Sequence, residues 1–135
     1  MTKKMITKLS YEIMGCAIEV HKELGPGLLE SIYEKCLTYE LRNKGYKVGN
    51  QVTVPIIYKE ISLVSNVRLD LIVNDTIVVE IKSVEHLLPV HQAQLLTYMR
   101  LLEKPQGILL NFNSYNITKS SIPLVNNHFK KLVDE

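Results

Sequence analysis

The chain has 135 residues, 46% of them hydrophobic and 22% charged, with a formal charge of +2. That length gives one domain with its own core and is too short for two ordinary ones, so residues 1–135 read as a single domain. No apolar run is long enough to cross a bilayer, and the charged start MTKKMITKLS leads into no signal-like segment, which sets membrane and secretory classes aside. Ile6, Leu9, Ile13, Ala17, Val20 and Leu24 recur at helical intervals and predict a first helix over residues 5–24. Gly25-Pro26-Gly27 stops it. A second helix is expected from about Leu28 to Lys44, its apolar stripe formed by Leu29, Ile32, Tyr33, Cys36, Leu37 and Leu41, with Gly45 as its C-cap. Helices joined by so short a connection should pack together.

The period then changes. VTVPIIY, ISLVS, VRLDLIV and TIVVEIK are β-rich and separated by short polar breaks. Pro55 marks the first as an edge strand or a bulged one. Asn74-Asp75 predicts a tight turn between antiparallel strands 67–73 and 77–82. Leu87 to Glu103 reads as a third helix with Pro89 in its first turn. GILLNFN follows as a buried strand, and a strand–helix–strand step should set it parallel to residues 77–82. SIPLVNNHFKKLV offers a short strand and a last helical turn or two. Cys16 and Cys36, with no CxxC spacing, read as ordinary thiols in a reducing, cytoplasmic compartment.

Three charged residues interrupt these apolar strands: Asp70 in VRLDLIV, and Glu80 and Lys82 in TIVVEIK. Charges in buried strands are costly unless something holds them there. Glu80 and Lys82, two apart, point the same way on a strand. The hairpin register decides where Asp70 lies. A two-residue loop would put Asp70 and Glu80 on opposite faces, whereas a three-residue loop, Asn74 to Thr76, pairs them directly. The second register is expected, with Asp70, Glu80 and Lys82 on one face and Leu69, Leu71, Val79 and Ile81 on the other.

Carboxylates opposed on neighbouring strands come within about 5 Å at Cβ, which suits one divalent cation with water completing its shell. Mg²⁺ or Mn²⁺ fits so oxygen-rich a site, and no cluster of soft ligands favours zinc. A metal-dependent hydrolase follows, with the lysine acting on the attacking water. The competing reading is a self-satisfied Asp70–Lys82 or Glu80–Lys82 ion pair. Glu30 reads either as an outer carboxylate reaching toward the metal or as a first-turn glutamate favoured by the helix dipole. His91, Gln94 and Tyr98 share one face of the third helix, either to orient water and phosphate oxygens or as a polar shoulder. No phosphate-cradling glycine loop is present, and the absence of Trp weakens a base-stacking platform.

Gly27-Leu28-Leu29-Glu30-Ser31-Ile32-Tyr33 matches a GxxExxY signature. Together with Arg68–Leu71, Val79–Lys82, Pro89–Tyr98 and Leu110–Asn113, it makes nearly the whole chain resemble the GxxExxY family, within the PD-(D/E)xK nuclease-like superfamily. The resemblance implies a restriction-endonuclease-like α/β core, a central mixed sheet flanked by helices. It implies Asp70 and Glu80 as catalytic acids, Lys82 as the catalytic lysine, Glu30 as the helical acid and Gln94 as the polar residue after the core sheet. Asp70, Glu80 and the Ile81 carbonyl would bind Mg²⁺ or Mn²⁺, with Glu30 as a further contact and His91, Tyr98 and Tyr33 as auxiliary residues. Leu69 stands where the motif has proline, a position that removes no ligand. The expected activity is phosphodiester hydrolysis of nucleic acid, DNA over RNA, by a small domain that dimerises. The alternative is a nucleic-acid-binding or homo-oligomeric assembly module that keeps the fold without the chemistry.

Overall fold

A computed structural model describes residues 1–135. Helix α1 (Lys3–Leu24) opens with Thr2, whose hydroxyl accepts from the Met5 amide at 3.1 Å. Gly25 and Gly27 turn the chain with φ of 69° and 100°, conformations that side chains resist. Helix α2 (Glu30–Asn43) then runs back against α1. Both bury one stripe: Ile6, Ile13, Cys16, Ala17 and Val20 from α1, and Tyr33, Leu37 and Leu41 from α2.

The predicted first strand breaks at Pro55, which has no N–H to give a ladder. It becomes β1 (Val48–Thr53) and β2 (Ile56–Tyr58), and β2 pairs only with β3 (Ile61–Leu63) as a separate hairpin. β1 is an edge strand, as Pro55 suggests. The main sheet is completed by β4 (Arg68–Val73), β5 (Ile77–Lys82), β6 (Gln106–Asn111) and β7 (Ile122–Val125). Its order is β1-β4-β5-β6-β7, antiparallel throughout except for the parallel pair β5–β6. That parallel pair is joined by α3 (Pro89–Leu101), the expected crossover. Two short helices, α4 (Ile117–Ser120) and α5 (Asn127–Lys130), flank β7; α4 has no counterpart in the sequence reading. The fold is α/β, a central mixed sheet flanked by helices.

The helices divide the core in two. Leu71, Val73, Ile77, Val79, Ile81, Ile108, Leu110 and Phe112 face α1 and α2 in the larger cluster. Ile72, Val78 and Leu109 face Leu95, Tyr98 and Met99 of α3 in the smaller one. Gly107 lets α3 approach closely, since a Cβ there would lie 2.7 Å from Met99 Sδ and 2.9 Å from Leu95 Cγ. One expectation is corrected: Leu69 packs in the α3 cluster, apart from Leu71, Val79 and Ile81. Alternation fails between Leu69 and Leu71, next to a break in the β1–β4 ladder opposite Asp70.

Candidate active site at the end of the β4–β5 ladder

The β4–β5 hairpin pairs Val73 with Ile77, Ile72 with Val78, and Leu71 with Val79. Its loop is therefore Asn74 to Thr76, the three-residue form, with Asn74 and Asp75 both left-handed at φ near 50°. Asn74 also ties the turn to the residue before β1, accepting from the Lys47 amide at 2.9 Å. Carried one residue further, this register sets Asp70 opposite Glu80. The ladder stops there, and the two carboxylates take over its hydrogen bonds. The Asp70 amide donates to Glu80 Oε1 at 2.9 Å, and the Ile81 amide donates to Asp70 Oδ2 at 2.7 Å.

Each acid thus has one oxygen fixed by backbone. Glu80 Oε2 accepts no hydrogen bond, and Asp70 Oδ1 has only a 3.4 Å approach from Gln51. Glu80 is 7% exposed. Burial first, and the Asp70 charge second, push its carboxyl up to about 7, with Glu30 adding to the rise; the Asp70 amide and Lys82 oppose it. Lys82 belongs to none of the molecule's four ion pairs. The self-satisfied pair with Asp70 or Glu80 is therefore not formed, although Lys82 is near enough to act on Glu80.

The chain beyond β5 is held firmly. Asn111, opposite Lys82 in the parallel register, accepts from the Val84 amide at 3.1 Å and donates to the Val84 carbonyl at 3.0 Å. Glu30 reaches the same segment from the first turn of α2 and accepts from the Ser83 amide at 2.9 Å. The Ser83 hydroxyl donates to the Leu28 carbonyl at 2.9 Å. Tyr33, one turn after Glu30, is buried with its ring stacked on Phe112 at 4.3 Å. Its hydroxyl donates to the Gly25 carbonyl at 2.6 Å and accepts from the Leu28 amide at 3.1 Å. Glu30 and Tyr33 therefore fasten the Gly25–Leu28 turn to the end of β5.

The residues expected on α3 separate. His91 caps the helix, its Nδ1 accepting from the Leu88 amide at 3.0 Å. Gln94 is exposed, with no side-chain hydrogen bond to the protein. Tyr98 is buried against the acids: burial first, then Glu80 and Asp70, push its phenol above the ordinary value.

The profile of the PD-(D/E)XK nuclease superfamily matches residues 7–122. The chain belongs to that superfamily. No curated protein and no solved structure gives a match. Superfamily members often use divalent metal ions. In this member no group of three or more His, Cys, Asp or Glu side chains converges to hold one, so Glu30 does not join Asp70 and Glu80 in such a cluster. Two carboxylates, each with an oxygen left over from its backbone bond, still suit Mg²⁺, which keeps several waters and takes one or two carboxylates.

Two residues at the site escaped the sequence reading. Glu34, one helical turn beyond Glu30, accepts from Gln51 at 2.7 Å and from Asn50 at 3.3 Å. Burial first, and Asp70 as well, raise its carboxyl, while its bonds from Asn50 and Gln51 and the charge of Lys35 hold it down. Its i, i+4 spacing from Glu30 was a usable signal. Gln51 carried none.

Proposed function

We propose that this member of the superfamily is a metal-dependent nuclease of the GxxExxY type that hydrolyses phosphodiester bonds, DNA in preference to RNA. Residues 1–135 would act as one domain, cytoplasmic and paired as a homodimer. The observation that carries the reading is the reciprocal bonding of Asp70 and Glu80 to each other's strands where the ladder ends. Closing the ladder uses one oxygen of each carboxylate. The spare oxygens, beside a lysine in no ion pair, exceed what the strands require, and burying that charge is costly unless something uses it.

Asp70 and Glu80, with the Ile81 carbonyl, would hold Mg²⁺ or Mn²⁺. When bound, the ion supplies a water of lowered pKa and a positive charge against the phosphate. The chain's own residues do the rest. Lys82 directs its ammonium at the attacking water and at the negative charge developing on the non-bridging oxygens. Gln94, on the exposed face of α3, orients that water. Tyr98 closes the floor of the site, and His91 fixes the start of α3. Glu30 fixes Ser83, and through it the end of β5, with Tyr33 bracing the turn that carries Glu30.

Lys82→Ala should abolish most cleavage while leaving the thermal midpoint within about 2 °C, because Lys82 forms no ion pair in the folded chain. The assay compares single-stranded, duplex and branched DNA, and RNA, in Mg²⁺ and in Mn²⁺. Equal cleavage by both proteins would remove Lys82 from the reaction. No cleavage of any substrate by the parent would favour a binding or assembly module.

A further inference from the structure

Gln51 is held in the left-handed region, at φ 50°, inside an otherwise regular strand. Asn50 pairs with Leu71 and Val52 with Leu69, so Gln51 stands opposite Asp70, yet that pair alone is missing from the ladder. No residue is inserted, because the register is the same on both sides. The Gln51 side chain is exposed, so the unusual backbone serves no core packing. A strained conformation of this kind persists only where its surroundings hold it, and such residues gather at functional sites.

What the conformation achieves is visible in the side chain. Gln51 Nε2 carries two hydrogens and meets two acids, Glu34 Oε1 at 2.7 Å and Asp70 Oδ1 at 3.4 Å. Glu34 is anchored in turn. Asn50 Nδ2 donates to Glu34 Oε2 at 3.3 Å and to the Thr38 hydroxyl at 2.9 Å, and Arg42 donates to Asn50 Oδ1 at 3.1 Å. Asp70 is otherwise tied only through Oδ2, by the Ile81 amide. A carboxylate tied at one oxygen can still turn about that bond; a donor at the other oxygen sets its plane.

We propose that Gln51 is a positioning residue of the candidate site: its amide sets the orientation in which Asp70 offers Oδ1 to a divalent cation, and shields Asp70 from the charge of Glu34. This rests on Asp70 being a cation ligand. Groups that orient a ligand typically account for about 10–100-fold in metal affinity.

The test uses Gln51→Ala and Gln51→Gly, which lack the amide equally but differ in backbone strain. Mn²⁺ affinity is measured by titration calorimetry, and the thermal midpoint is measured in EDTA. Both variants should bind Mn²⁺ about 10–100-fold more weakly than the parent. Their midpoints should separate, glycine above alanine, because glycine adopts φ 50° without strain. Affinities within about threefold of the parent in both variants would overturn the proposal. So would affinity regained in the glycine variant alone, which would make the backbone and not the amide the working part. Asp70→Asn is the control. If the parent binds no Mn²⁺, or Asp70→Asn binds it as the parent does, the cation site itself fails and the role of Gln51 falls with it.

Discussion

Asp70 and Glu80 are each bound to the other's strand, and Glu80 is driven strongly toward its protonated form, which gives a pH dependence with a definite sign. Its carboxyl rises from 4.5 to about 7, chiefly by burial and then by the Asp70 charge. The folded chain therefore holds this proton more tightly than the unfolded chain does. Below about pH 4.5 both states are protonated and stability is at its full value. Between 4.5 and 7 the unfolded state releases its proton first, and stability falls. Above about pH 7 the loss is complete, on the order of 3 kcal/mol. Urea unfolding in EDTA should show the cation-free protein weaker at pH 8 than at pH 5, and Glu80→Gln should remove most of that difference. An equal fall in the variant would assign the pH dependence elsewhere. The presence of these charges is legible in the sequence, because Asp70, Glu80 and Lys82 stand out in apolar strands. Gln51 is not: nothing in a glutamine announces a left-handed backbone, and its meaning appears only with Asp70 opposite it.

Among the elements, the α1–turn–α2 unit does more than cover the sheet. Tyr33 holds the Gly25–Leu28 turn through its hydroxyl and the core through its ring, and Glu30 one turn earlier holds the Ser83 amide. Tyr33→Phe keeps the stack on Phe112 and removes both hydroxyl bonds. The turn is open to water, so the expected loss is about 1 kcal/mol, a fall of about 4 °C in the thermal midpoint. Hydrogen exchange at the Ser83 amide should accelerate as Glu30 loosens. Exchange unchanged at Ser83 would mean that Glu30 keeps its place without the tyrosine. Glycine spacing, helical period and the Asn74-Asp75 loop make these elements and the β4–β5 register readable, since each depends on near neighbours. The Glu30–Ser83 bond spans 53 positions and joins a helix start to a strand end, so no local pattern encodes it. Leu69 departs from its expected face for a related reason. Its alternation fails beside the missing Gln51–Asp70 pair, a feature of two strands that neither strand's own pattern shows.

Across the whole molecule, stability resides in two clusters on either side of one sheet, and the β2–β3 hairpin belongs to neither, apart from the partly buried Ile56. Ile57, Tyr58, Ile61 and Leu63 are between 47% and 64% exposed, although isoleucine and tyrosine are residue types that favour strands. The sequence marks this segment as β-rich but not as detached. Pro55 explains the difference, since it ends pairing with β4 and leaves Ile56–Leu63 to pair only with itself. An isolated two-stranded hairpin is at best marginally stable in water, so this one should contribute little to the cooperative unfolding of the core. Replacing Ile57, Tyr58, Ile61 and Leu63 together by threonine keeps strand propensity and removes the exposed apolar surface. The thermal midpoint of the dilute protein should move by less than about 2 °C, as for surface changes that touch no packing. Amides of β5 and β6 should keep their slow hydrogen exchange, because both are interior strands of the sheet and every residue in them except the half-buried Lys82 is buried. A fall of more than about 5 °C would mean that these four side chains are packed in solution, and the core would then extend beyond the five-stranded sheet.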